Sequence, residues 1–246
     1  MGIMLSLVRI AERVTSWRLA RGVNVFHDIE YTLPAYKMDV IFDVGANVGQ
    51  TARNFLRLFP LALLFCFEPA SASFEELEKH TRRSGAKCFH LALSSESGTA
   101  TLLSSGTDTM NRLLDSRDAA AANAHTETVG VTTLAEFCGS HDVKHISYLK
   151  IDTEGRDLDV LKGGERLLTE QAVDFIEIET GINPENHYHV PFETVKSFLE
   201  PRGYSLFGLY EQCEEWPTQA VHLRRVNSVY ISRRLIDANR RDLRDG

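Results

Sequence analysis

The stretch 40-VIFDVGANVGQTARNF-55 decides how the rest of the chain is read. Three apolar residues lead into Asp43, a turn follows from Gly45 through Ala46, Asn47 and Val48 to Gly49, and a helical pattern begins behind it. Gly45 and Gly49 allow a backbone to approach a ligand closely, and Asn47 is among the few non-glycine residues that tolerate positive φ. The spacing is G-x-x-x-G, one glycine short of the G-x-G-x-x-G that holds a dinucleotide pyrophosphate. It predicts a strand-to-helix turn at a ligand-binding sheet edge.

Working outward, apolar runs alternate with helical patterns. The sequence predicts strands at 40–44, 62–67, 87–92, 146–151, 173–179, 204–209 and 226–232, and helices at about 49–59, 71–84, 134–141, 157–169 and 191–201. Nearly continuous apolar strands separated by helices predict an α/β fold with a mostly parallel, twisted sheet covered on both faces. The last two strands, joined by a polar stretch, predict an antiparallel edge hairpin. Between 94 and 145 the alternation breaks: GTATLLSS and TETVGVTT read as short strands around a polar, then Ala-rich segment. An inserted β-hairpin over about 98–130 is expected, with 104–128 as a lid beside the site.

The chain has 246 residues, 43% hydrophobic and 25% charged, enough for one large domain. Its formal charge of −7 argues against a nucleic-acid partner. Residues 1–24 carry +3 and 224–246 carry +4, which leaves −14 between them. Cys66, Cys88, Cys138 and Cys213 are widely spaced without a C-x-x-C pair, so neither zinc nor a disulfide framework is expected, and a reducing cytoplasm fits. The start, MGIMLSLVRIAERVTSWRLARG, is broken by Arg9, Glu12 and Arg13, too short to span a bilayer and without a cleavage site. Ile3, Leu7, Ile10, Val14 and Trp17 share one helical face, expected to pack on the domain, with peripheral membrane contact as the second reading. Nothing in the sequence fixes or forbids a homo-oligomer.

The turn also selects a ligand. The second strand ends in Glu68-Pro69, some 20 residues beyond it, where a carboxylate can accept ribose hydroxyls of any adenosine ligand. Asp43 would repel a pyrophosphate but favours an ammonium and a sulfonium, which S-adenosylmethionine carries. NAD is disfavoured on the same ground.

DVGANVGQ, FEP, ALSSESGTATL, VTTLAEF, YLKIDTEGRDLDVLKGGERLL and VPFETVKSFLEPRGYSLFGL together resemble the FkbM-family methyltransferases over roughly 40–210. The resemblance implies a Rossmann-like class I methyltransferase fold, S-adenosylmethionine as methyl donor, and O-methylation of a sugar, glycan or secondary-metabolite hydroxyl. It implies that Asp43, Gly45, Ala46, Asn47 and Gly49 hold the donor's methionine end, that Glu68 holds the ribose, and that Leu93 and Ser94 flank the adenine. The organisation expected is an N-terminal helical extension (1–36), the methyltransferase domain (37–233) and a basic C-terminal tail (234–246).

The acceptor side is read from KIDTEG and IEIET, which end adjacent strands. Strand alternation puts Lys150 and Asp152 on one face and Glu177 and Glu179 on one face. Simple register would pair Lys150 with Glu177, with Asp152 or Glu154 capping the next helix. Asp152 and Glu179 could bind acceptor hydroxyls, act as base, or hold Mg²⁺; Lys150 beside them disfavours the metal. His187 and His189, in the loop after the fifth strand, are the imidazole candidates for the base, with His125 in the insertion. The acceptor pocket is expected under the insertion and the 180–191 loop. An N-methyltransferase or a metal-dependent O-methyltransferase is the nearest alternative, and a non-catalytic donor-binding scaffold the furthest.

Overall fold

The computed structural model describes residues 20–103, 112–113 and 126–245. In chain order the elements are α1 (Val25–Thr32), β1 (Val40–Val44), α2 (Gln50–Leu58), β2 (Leu63–Phe67), α3 (Ser71–Thr81), β3 (Lys87–Phe89), β4 (Ala92–Leu93), β5 (Gly98–Leu103), β6 (Arg112–Leu113) and β7 (Thr126–Thr132). They continue with α4 (Leu134–Ser140), β8 (Ile146–Ile151), α5 (Asp157–Gly163), α6 (Glu165–Thr169), β9 (Val173–Gly181), α7 (Phe192–Leu199), β10 (Tyr204–Glu215), β11 (Ala220–Ser232) and α8 (Arg233–Asp245).

The main sheet has seven strands in the order β3-β2-β1-β8-β9-β11-β10. The first five run parallel, and β11 and β10 close it as an antiparallel hairpin. This is the class I methyltransferase arrangement the sequence implied, and alternation explains how its strands are apolar throughout. Phe42, Val44, Phe65, Phe67, Leu149, Ile151, Ile176 and Ile178 bury against α4 to α7. Their neighbours Ile41, Leu64, Cys66, Tyr148, Phe175 and Val229 bury against α1, α2 and α3. On that second face each central strand turns ionisable as it nears its carboxyl end: Asp43 after Ile41, Lys150 after Tyr148, Glu177 after Phe175. Those three stand side by side across the sheet.

Several elements differ from the sequence reading. The predicted 87–92 strand splits, because Ala92–Leu93 leaves the main sheet and pairs with β7. The expected hairpin, β5 with β7, is thereby part of a four-stranded sheet, β4-β7-β5-β6. The 157–169 helix is two helices meeting at Gly164. A Cβ on the preceding Gly163 would sit 2.0 Å from the Ser94 carbonyl, so the V-L-K-G-G run lets α5 press onto the chain leaving β4. The basic C-terminal segment folds as α8, tied back where Arg233 donates its N–H to Gly203 (2.8 Å) and Arg234 pairs with Asp174 (3.0 Å).

The predicted helix carrying Ile3 to Trp17 lies outside the described residues, as do His125 and most of the 104–128 segment. The described part of the N-terminal extension docks firmly. Asn24 caps α1 by accepting from the His27 N–H (2.9 Å), and the Phe26 ring packs against Phe55, Phe59 and Tyr148 at 5.1–5.8 Å between centroids. Asp28, buried, accepts from the Gly22 N–H (2.8 Å) and the Tyr210 hydroxyl (3.0 Å), joining α1 to β10. Among the described residues no helix is long and apolar enough to cross a membrane.

Candidate active site

The turn after β1 is shaped by its backbone. Gly45 (φ 81°) and Ala46 both donate to the Phe67 carbonyl (2.9 and 3.0 Å), Asn47 adopts φ 46°, and Gly49 (φ 82°) starts α2. A side chain at Gly45 is sterically barred: its Cβ would lie 1.9 Å from the Asp152 carbonyl oxygen. The turn and the end of β8 therefore meet backbone to backbone, fastened by the Asp152 N–H on the Val44 carbonyl (2.9 Å).

Two carboxylates flank this turn. Asp43 is fully buried, and neither carboxylate oxygen has a hydrogen-bond partner; the side-chain oxygen of Asn47 is also unpartnered. Burial pushes the Asp43 carboxyl up to about 6, with Lys150 opposing and Asp152 and Glu177 adding to the rise. Glu68 accepts from the Asn47 and Ala70 N–H groups, 2.8 Å each. Burial lifts it to about 7 despite those two donors. A buried carboxylate without a donor is costly on its own, and a cationic ligand group would relieve it. That orphaned pair of oxygens is the structure's own fit to a donor carrying an ammonium and a sulfonium. Leu93 is buried in the core, so only its backbone is available to an adenine, and Ser94 donates its N–H to Thr132 (3.0 Å).

The acceptor-side candidates converge at the ends of β8 and β9. Lys150 pairs with Asp152 at 2.8 Å, not with its register neighbour Glu177. The oxygens of Glu177 are already taken by the Tyr148 hydroxyl (2.5 Å) and Asn227 Nδ2 (2.7 Å). Burial works to raise Asp152, yet Lys150 outweighs it and holds the carboxyl below its ordinary range. Glu179 is gripped on both oxygens, by Arg225 and by His189 Nε2 at 2.7 Å. The other ring nitrogen of His189 faces the Asn186 amide at 2.9–3.1 Å, so neither nitrogen is turned toward a substrate. His187 is exposed, without a hydrogen-bond or ion partner among the described residues. Among them, too, no group of three or more His, Cys, Asp and Glu is arranged to hold a metal ion.

Neither Asp152 nor Glu154 caps α5. Asp157 instead accepts from the Thr153 N–H (2.9 Å) and hydroxyl (3.1 Å), securing the turn. Glu154 is thereby left half-buried in the left-handed region (φ 52°), without a hydrogen-bond partner among the described residues. Burial first, then the charges of Asp152 and Glu179, push its carboxyl to about 7. The sequence offers Asp152 or Glu154 as the cap; the place of Glu154 two residues after Asp152 and just before Gly155 is the signal for a site role.

A cavity of about 300 Å³ opens at the ends of β8 and β9, lined by Lys150, Asp152, Glu177 and Glu179 and by Thr51, Asn54 and Phe55 from α2; Glu154 is not among the residues that line it. It is closed by the start of α1 (Val23 to Phe26) and by Tyr210, Glu211, Arg225 and Asn227 of the edge hairpin. None of these closing residues was singled out from sequence. Asn227, the one amide in the strand VNSVYIS, could have been. Of the expected walls, no described residue of the insertion or of the 180–191 loop lines it.

A model of the methyltransferase FkbM domain matches residues 43–206, beginning at Asp43. The chain is similar to Methyltransferase 1 of Beauveria bassiana, 25% identical over 206 residues that cover 74% of this chain and 79% of that one. It is 31% identical over 158 residues to the hexuronic acid methyltransferase AglP of Haloferax volcanii, covering 60% of this chain and 59% of the relative. With the 2-O-methyltransferase NoeI of Sinorhizobium fredii it shares 29% over 153 residues, covering 56% and 62% respectively. The chain spans about three fifths of the length of these last two. With Asp43 and its turn at one end of the matched segment and the KIDTEG edge inside it, the chain belongs to the methyltransferase FkbM domain family and is an S-adenosylmethionine-dependent methyltransferase.

Proposed function

We propose that the protein O-methylates a hydroxyl of a small-molecule or glycan acceptor, with the donor over the β1 turn and the acceptor over the ends of β8 and β9. The observation that carries the reading is Asp43, buried with both oxygens unpartnered at the foot of that turn. That NoeI is a 2-O-methyltransferase supports transfer to oxygen, and that AglP is a hexuronic acid methyltransferase supports a sugar-like acceptor.

S-adenosylmethionine supplies a methyl group already activated by the positive sulfur to which it is bonded. Asp43 and the Gly45–Gly49 turn hold the donor's cationic end, and Glu68, whose oxygens each retain a lone pair beyond the backbone N–H they accept, holds the ribose. Asp152 stays ionised beside Lys150 and, with Glu179, orients the acceptor hydroxyl in line. Glu154, two residues beyond the cavity-lining Asp152, takes its proton as the acceptor lies across that rim, because an unpaired carboxyl at about 7 is matched to general-base work near neutrality. Glu154 would receive the hydroxyl proton as the acceptor oxygen takes the methyl group, which the bound donor would supply while its sulfur keeps the C–S electron pair. His189, bound at both nitrogens, fixes Glu179 rather than serving as base. Asp152 and Glu179 already have cationic partners, so no metal is needed to neutralise them.

Calorimetry with S-adenosylhomocysteine tests the donor half directly. Wild type should bind it and not NAD, and Asp43→Ala and Glu68→Ala should each weaken it by about 1–3 kcal/mol, the scale of hydrogen bonds to charged groups. Wild-type affinity in both variants would mean that the donor lies elsewhere.

A further inference from the structure

The cavity over the β8 and β9 ends is walled from two parts of the chain. The sheet floor and α2 lie within the family-matched residues 43–206, whereas Asn24, Tyr210, Glu211, Arg225 and Asn227 lie outside them. Glu211 reaches it through an irregularity: β10 breaks register with β11 between Tyr210 and Cys213, and Glu211 adopts φ 44° within the break. A bulge re-aims a side chain, and a non-glycine residue held in the left-handed region marks a place where conformation serves a site. Glu211 is exposed, and its carboxylate accepts only from Asn227 Nδ2 at 3.3 Å.

Asn227 adds a second, independent observation. It is 5% exposed, it gives Nδ2 to Glu177 and Glu211, and its Oδ1 has no donor. A buried acceptor left unpaired calls for an O–H or N–H from a ligand. The two cations lining the cavity are committed, Lys150 to Asp152 and Arg225 to Glu179. What the cavity has to spare is acceptors and negative charge; among the described residues that line it there is no free cation for an anion.

Resting on the acceptor reading given above, we propose that this cavity is the acceptor site and that Glu211 and Asn227 select a polyhydroxylated ring bearing neutral hydroxyls or an amine. An acceptor carrying a carboxylate or phosphate is rejected, because it would lose its hydration without gaining a positive partner. The volume suits one ring, at the small end of ligand pockets.

The test uses the full chain saturated with S-adenosylhomocysteine and titrated with glucose, glucosamine and glucuronate, followed by ligand-observed NMR. Glucosamine and glucose should bind, and glucuronate should bind at least about tenfold more weakly. Glu211→Gln should weaken glucosamine by about tenfold while S-adenosylhomocysteine affinity and melting temperature stay unchanged, and Glu211→Arg should shift preference toward glucuronate. Glucuronate as the best wild-type ligand would overturn the proposal, as would sugar binding indifferent to both variants. A Glu211→Gln variant that loses S-adenosylhomocysteine but keeps the sugars would assign the cavity to the donor. No sugar binding beside intact S-adenosylhomocysteine binding would overturn the polyol assignment alone. Loss of S-adenosylhomocysteine binding in wild type would break the donor reading instead.

Discussion

The two ends of the binding edge treat charge in opposite ways. At the β1 turn, Asp43 and Glu68 are buried carboxylates without an ion pair among the described residues, one with no hydrogen-bond donor and the other with two backbone N–H groups. At the ends of β8 and β9, Asp152 and Glu179 are each matched to a cation before any ligand arrives. A site built for a cationic cosubstrate leaves its charge uncompensated, since the ligand completes it. A site that must bind a neutral group settles its own charges and offers lone pairs. Both arrangements occur a few residues apart on one sheet face, and their backbones meet at Gly45 and Asp152.

The largest expected effect tests whether the unpaired carboxylate on the acceptor side does the proton work. Glu154→Gln should lower kcat by about 10²–10⁴, the usual contribution of a positioned base. In wild type, kcat/KM should rise with pH through about 7 as Glu154 ionises, and that limb should vanish from the variant's residual activity. If the limb persists in Glu154→Gln and disappears in Asp152→Asn, the base is Asp152 and the contrast drawn here is misplaced.

Next in size is the energetic cost of the uncompensated donor side. Asp43 keeps its proton up to about pH 6 in the fold, against an ordinary value of 3.8, so the native state binds more protons than the unfolded chain between those values. Stability therefore falls as pH rises from about 4 to 6 and stays lower above. Relative to Asp43→Asn, wild type should lose about 3 kcal/mol over that window, measured by urea unfolding. Saturating S-adenosylmethionine should restore most of it. A wild-type difference that is flat with pH would show that Asp43 is compensated after all.

A smaller effect separates the halves at the far wall. Asn24→Ala removes the α1 cap and should cost about 1 kcal/mol of stability. Because Asn24 also lines the cavity, acceptor KM should rise while S-adenosylhomocysteine affinity does not move. A drop in donor affinity would join α1 to the donor half. The smallest effect expected is none: turnover of a confirmed acceptor should survive a chelator, with no gain when Mg²⁺ is restored. Activity abolished by chelation and recovered with Mg²⁺ would replace the self-neutralised rim with a metal site through Asp152 and Glu179.

The same contrast separates what the sequence shows from what it hides. The half proposed for the donor is local: one strand, one turn and the end of the next strand bring Asp43, Gly45, Asn47 and Glu68 together within residues 43–68. The parallel sheet is legible for a related reason, since strands such as ISYLKI bury both faces and cannot alternate in polarity. The acceptor half is assembled from afar. Lys150 stands beside Glu177 as register demands, yet Tyr148 and Asn227 occupy Glu177, and Lys150 turns along its own strand to Asp152. Nothing in the sequence marks the break that swings Glu211 inward, because a bulge depends on how two strands pair. The second sheet was foreshadowed only by its hairpin; Ala92–Leu93 joins it through a partner nearly forty residues on.

The break in β10 has one more consequence. Among the described residues β10 is the sheet's outermost strand and pairs with β11 alone, so altering its register disturbs a single ladder. Sliding that irregularity by one position would exchange which side chains face the cavity, since neighbouring residues of a strand point to opposite sides. The strands carrying the donor turn would not feel the change. Descendants of this chain could thus sample new acceptors through single-residue insertions and deletions at one margin, while inheriting the methyl-donating machinery intact.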